Sequence, residues 1–198
     1  NENQPTDLAY EFIHDLATID KITYRQLALK AQAIAVKMTD LGVVVGDRAL
    51  LIYPPGLELI AAYFGCLYAG VIAIPVYPPL NMKQINKLKY IVADSQPKMC
   101  LSISQFSPKL PEIMTLFRAG SCCLTTDNLD KSLADCWSPP DIVPDSLAFI
   151  QYTSGSTSDP KGVQVSHKNL MHNLELLYQG FHFAEIDHMV SWLPPFHD

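Results

Sequence analysis

The chain has 198 residues, 48% of them hydrophobic and 17% charged, with a formal net charge of −6. That length supports one well-cored domain or two small ones, and the composition excludes an intrinsically disordered chain. The acidic balance and the lack of a basic run argue against a nucleic-acid partner, but leave anion binding by local donors open. Five cysteines, Cys66, Cys100, Cys122, Cys123 and Cys136, form no C-x-x-C pair and read as reduced thiols of a cytoplasmic protein. Residues 59–74 carry no charge, yet they are too few to cross a bilayer as a helix and prolines bracket them. No membrane span is expected, and the polar, mixed stretch 1–20 carries no cleavable signal peptide.

In chain order, the first clear element is a helix in "KITYRQLALKAQAIAVKMTDLG". Thr23 and Gln26 have capping-box spacing, and Leu27, Ala31, Ile34, Met38 and Leu41 form one apolar face. Gly42 is suited to end the helix in the left-handed conformation. Gly46-Asp47 marks a turn, and residues 49–53 read as a short buried strand. A helix over 57–69, closed by Gly70, leads to a strand over 71–77. A polar-faced helix follows over 81–95, with Ile85, Leu88, Ile91 and Val92 as its stripe. A strand over 99–103, a short helix over 111–118 and a strand over 122–125 come next. Residues 126–145, with three prolines, read as an irregular linker. Then come a strand over 147–152, a helix over 166–179 and a strand over 188–193. Alternating strands and helices imply an α/β fold with a largely parallel sheet and flanking helices, whose ligands sit beyond the carboxyl ends of the strands.

The stretch after the strand over 147–152 has unusual chemistry. Thr153 to Gly162 holds five hydroxyl side chains, two glycines and one lysine. Glycines let main-chain N–H groups approach a ligand, hydroxyls donate, and Lys161 adds a point charge. The ligand that wants many donors and one cation is a polyphosphate. The helix starting near Ser166 can turn its positive end toward the same region. The loop is not a Walker P-loop, because Lys161 precedes Gly162, and it is not a G-x-S-x-G nucleophile elbow. Composition alone leaves a solvated Ser/Thr turn equally open. His167 and His172 are five residues apart and H-E-x-x-H is absent, so a protein-ligated zinc is not expected.

"YTSGSTSDPKGVQVSHKNL" resembles the phosphate-loop signature of the adenylate-forming enzymes: acyl-CoA ligases, peptide-synthetase adenylation domains and luciferases. The family usually has glycine where this chain has Ser158. "SWLPPFHD" (191–198) resembles the family's next motif. Its "PPFHD" form, with "IPVYPP" (74–79), is similar to the fatty acyl-AMP ligase branch. "ITYRQL" and "GDRALLIYPPGLELIAAYFGCLYAG" match the opening segments in order.

The resemblance implies activation of a long-chain fatty acid by ATP, with Mg2+, to an acyl-adenylate and pyrophosphate. The acyl group then passes to the phosphopantetheine of an acyl carrier protein. It also implies that Thr153, Ser154, Gly155, Ser156, Thr157, Lys161 and Gly162 bind ATP and pyrophosphate. His197 falls where the family places a catalytic histidine near the reacting carboxylate, with Trp192 and Asp198 in the acyl vicinity. Trp192 is expected in the core, and Asp159, a negative charge beside a phosphate site, is expected to face away. Residues 1–198 are read as the N-terminal portion of the AMP-binding (adenylation) domain, without the C-terminal domain and nearly inert alone. A coenzyme A ligase, an amino-acid adenylation domain and a non-catalytic nucleotide-binding module are the alternatives; acyl chain length and oligomeric state stay open.

Overall fold

The computed structural model describes residues 6–15, 17–153, 160–181 and 188–193. Its centre is a six-stranded sheet in the order β6-β5-β3-β4-β7-β8, with a separate hairpin, β1-β2, before it. β3 (Arg48–Ile52), β4 (Ile72–Val76), β5 (Met99–Ser102), β6 (Cys122–Thr125) and β7 (Leu147–Thr153) run parallel; β8 (Lys161–Ser166) returns antiparallel to β7. The fold is therefore the expected largely parallel α/β sheet.

The central strands are continuous apolar runs because both faces are covered. On one face Ala49, Leu51, Ala73, Met99 and Leu101 pack under α1 (Tyr24–Asp40) and α2 (Leu57–Ala69). On the other face Leu50, Ile52, Ile74, Cys100 and Ile150 pack against α3 (Met82–Ser95) and α4 (Leu110–Met114). The capping box starts α1 as expected: Gln26 N donates to Thr23 Oγ1 at 3.2 Å, and Thr23 N to Gln26 Oε1 at 2.9 Å. Gly42 follows it at φ +78°, a backbone state that side chains resist. α2 has the expected limits and ends at Gly70 in the left-handed conformation. At α1–α2 the helices approach so closely that a Cβ on Gly65 would lie 2.6 Å from Ile34 Cγ2.

The structure adds to the sequence reading in places and corrects it in others. The sequence reading assigns no element before the first helix, yet β1 (Leu8–Ile13) pairs antiparallel with β2 (Ile19–Thr23), tied by the Lys21–Glu11 ion pair and by His14 Nε2 to Asp20 Oδ2 at 2.7 Å. The short helix expected over 111–118 is present as α4 but stops at Met114, and a 3-10 turn, Ser104–Lys109, leads into it. The linker over 126–145 contains a 3-10 turn, Lys131–Cys136, after which Trp137 stacks on Tyr68 with ring centroids 5.1 Å apart. Residues 188–193 are not a strand. Their apolar character gave the expectation, but a strand also needs a neighbour's ladder, and here Met189, Val190 and Trp192 are exposed. Trp192, 92% exposed, is not a core residue.

Candidate functional site

Because β3 to β7 are parallel, their carboxyl ends share one edge of the sheet. The chain leaves that edge through Tyr53-Pro54-Pro55-Gly56 after β3, and through Tyr77-Pro78-Pro79 after β4. Proline pairs stiffen both exits. A buried polar seam joins three of the ends. Tyr53 Oη and Thr126 Oγ1 are 2.8 Å apart, Thr126 Oγ1 donates to Ser102 O at 3.4 Å, and Ser102 Oγ donates to Ile52 O at 2.8 Å. Each hydroxyl of this seam has a partner, so none of the three is buried unsatisfied. Burial pushes the Tyr53 phenol well above its ordinary value, which keeps it a neutral donor.

β7 reaches the same edge at Thr153, and β8 departs from it at Lys161. The two are registered partners across the hairpin. The hydroxyl-rich loop is thus the connection of a β-hairpin at the carboxyl edge of a parallel sheet, where such folds take ligands. Thr153 is half-buried, whereas Lys161 and Gly162 are exposed. Ser154, Gly155, Ser156 and Thr157 lie outside the described residues, as do His197 and Asp198, so the geometry described concerns Thr153, Lys161 and Gly162.

The helix after the loop does not do what the sequence suggested. Ser166 pairs with Leu147, at the amino end of β7, and α5 (His167–Phe181) starts there. Its N-terminus is therefore about 20 Å from Thr153, the span of six strand residues. An antiparallel strand separates loop from helix, which removes the dipole contribution expected from α5. The amino ends of α2 and α3 are the ones that follow strands at the carboxyl edge, and Glu58 in the first turn of α2 already pairs with Lys30.

Two residues not singled out from sequence support the hairpin from below. Tyr152 Oη donates to Asp94 Oδ2 of α3 at 2.5 Å. Burial, and then Asp94, push the Tyr152 phenol far above its ordinary value. Tyr152 was legible as part of the quoted motif, but Asp94 gave no local signal, since its partner is 58 residues away.

A largely parallel sheet with its connections gathered beyond the strands' carboxyl ends is an α/β architecture that commonly takes ligands there. The profile of the AMP-binding enzyme family matches residues 1–198, and the chain belongs to that family. It is 39% identical over 198 residues to the medium-chain-fatty-acid–acyl-carrier-protein ligase of Moorena producens, covering 96% of this chain and 33% of that protein. It is 31% identical over 199 residues to a long-chain-fatty-acid–AMP ligase of Mycolicibacterium smegmatis, covering 96% of this chain and 31% of the other. The solved fatty acyl-adenylate ligase of Legionella pneumophila, in complex with acyl adenylate and pyrophosphate, superposes with a TM-score of 0.86 at 38% identity, over 100% of this chain and 34% of its own. The chain spans about a third of the length of the curated relatives it matches. No described helix is long and apolar enough to cross a membrane.

Proposed function

We propose that residues 1–198 are the N-terminal portion of the adenylation domain of a fatty acyl-AMP ligase, and that they supply its grip on ATP. The observation that carries this reading is the β7–β8 hairpin, with Thr153 and Lys161 facing each other at the carboxyl edge of the sheet. The names of the relatives supply the substrate class, a fatty acid, and one of them the acceptor, an acyl carrier protein.

In this reading a fatty-acid carboxylate oxygen attacks the α-phosphorus of ATP. The bond from that phosphorus to the oxygen bridging to the β-phosphate breaks, and pyrophosphate leaves. Two anions must meet, so fixed donors have to offset their repulsion. Thr153, Ser154, Ser156 and Thr157 donate hydroxyls to the departing phosphates, Gly155 and Gly162 give room for main-chain donors, and Lys161 follows the charge. His197 is assigned to the reacting carboxylate and Asp198 to the acyl vicinity, and the exposed indole of Trp192 is available to an acyl chain. The loop's hydroxyl and glycine residue types suit phosphate oxygens. Mg2+ would arrive on the phosphates and offset their charge there. The phosphopantetheine thiolate of a carrier protein, its proton lost to solvent, then attacks the acyl carbon; the bond from that carbon to the AMP phosphate oxygen breaks, and AMP leaves as the thioester forms. Five thiols without a disulfide support a reducing, cytoplasmic setting.

The test is to incubate the full-length gene product with labelled long-chain fatty acid and Mg-ATP, with and without coenzyme A, and to resolve acyl-AMP from acyl-CoA. Acyl-AMP that persists beside coenzyme A supports the reading. Conversion to acyl-CoA assigns a coenzyme A ligase instead. Absence of both products overturns fatty-acid activation. The 198 residues alone are expected to make almost no acyl-AMP.

A further inference from the structure

The phosphate loop stands on two strands, and one of them is tied, just below the loop, to a helix that covers one face of the sheet. Tyr152 directly precedes Thr153. Its side chain turns to the face covered by α3, where Leu88, Ile91 and Val92 anchor that helix on Ile52, Ile74 and Ile150. Its hydroxyl donates to Asp94 on α3. Tyr152 is also the registered partner of Gly162. A Cβ on Gly162 would sit 3.0 Å from Tyr152 Cζ and 2.9 Å from Ile150 Cγ2. Glycine is therefore needed at 162 to let β8 close onto the Tyr152 ring. This demand is separate from the ligand approach that the sequence suggested for Gly162.

We propose that Tyr152 and Asp94 are a positioning pair. They fix the hairpin in register on α3, so that Thr153 and Lys161 stand opposite each other for the nucleotide phosphates. Three observations on different elements converge on it: the hydrogen bond to α3, the strand pairing, and the missing Cβ. Neither residue touches phosphate in this scheme; they act through the two that do. A hydrogen bond to a charged group at a half-buried position is strong enough to hold one register against its alternatives. The phosphate part of the proposal rests on the proposed function; the register part does not.

The experiment uses the full-length protein and its variants Y152F, D94A and D94N. Y152F keeps the ring and loses the donor; D94A loses the acceptor; D94N keeps an acceptor oxygen. Two quantities are read: the ATP dependence of acyl-AMP formation, and hydrogen exchange of the β8 amides, 162–166. Y152F and D94A are expected to raise the KM for ATP about tenfold with kcat changed less than about threefold. Both are expected to speed β8 exchange about tenfold while the β3 and β4 amides stay protected. D94N is expected to recover most of both effects. Unchanged β8 exchange in Y152F and D94A overturns the pair. So does a uniform rise in exchange across the sheet, which marks general destabilisation. If wild-type protein forms no acyl-AMP, the functional reading falls, and β8 exchange alone decides whether the pair holds the hairpin.

Discussion

The two halves of the sheet are built differently. β3, β4 and β5 are covered on both faces, and Leu50, Leu51, Ile74 and Leu101 have no exposed surface. At the other end, Lys161, Gly162, Val163 and Gln164 of β8 are all exposed, and α5 has no buried residue. The covered half is held by area removed from water, which is non-directional and distributed over many side chains. Within the hairpin, β7 still buries Ala148, Ile150 and Tyr152, whereas β8 is held mainly by its ladder to β7, which Tyr152 ties to α3 through Asp94. A rigid half carrying a less buried one is a common way to present a binding loop.

The contrast can be broken most directly by paired truncations. Leu51→Ala, in the covered half, is expected to cost about 3 kcal/mol of unfolding free energy in a urea titration. Val163→Ala, at a position 49% exposed, is expected to change it by less than about 0.5 kcal/mol. Equal costs would erase the distinction. Gly65→Ala tests close packing in the same covered half. The new methyl meets Ile34 at 2.6 Å, and about 2 kcal/mol of destabilisation by overpacking is expected. Thr23→Ala removes the reciprocal cap of α1, with an expected loss of about 1 kcal/mol; a smaller loss in a Gln26→Ala background would expose their coupling.

The smallest effect concerns pH. Asp15, at the turn between β1 and β2, accepts from Ala17 N at 2.7 Å and Thr18 N at 2.9 Å, and these amides hold its carboxyl below the ordinary 3.8. A carboxyl whose folded value is depressed stabilises fully above its unfolded value and loses that contribution as pH falls through the lower folded one. Asp130, which accepts from Ser132 N, behaves in the same direction. Stability is therefore expected to fall slightly below about pH 4. Asp15→Asn, followed by thermal unfolding across pH 2 to 6, should reduce that slope; an unchanged slope would assign the dependence to other carboxyls.

What could be read from sequence follows the same division. α2 and β6 were found at their expected limits, and α1 started at its capping box, because apolar runs and caps are local signals. The β1–β2 hairpin escaped notice: its strands are mostly exposed and a bulge between Leu8 and Tyr10 breaks the alternation. β8 was hidden inside a motif read as loop-to-helix, although Val163 and Val165 alternate with polar neighbours. That one omission also misdirected α5, since an extra antiparallel strand carries the helix start to the far edge of the sheet. The expectation of a strand at 188–193 failed for the converse reason: apolar residues were present without a partner beside them. The loop's hydroxyls and lysine are what carry its proposed phosphate chemistry in the sequence. Its support was not legible there, because Asp94 and Tyr152 meet only through the tertiary fold.

The central claim is that the β7–β8 hairpin grips the phosphates of ATP. It is tested most directly by the rate of acyl-AMP formation in the full-length protein and in its Lys161→Met variant, at saturating fatty acid and fixed Mg-ATP. Loss of one preorganised cation at a reacting phosphate predicts a fall of at least about 100-fold, with the fold intact by circular dichroism. A variant that forms acyl-AMP at the wild-type rate would contradict the account and move the phosphate grip elsewhere.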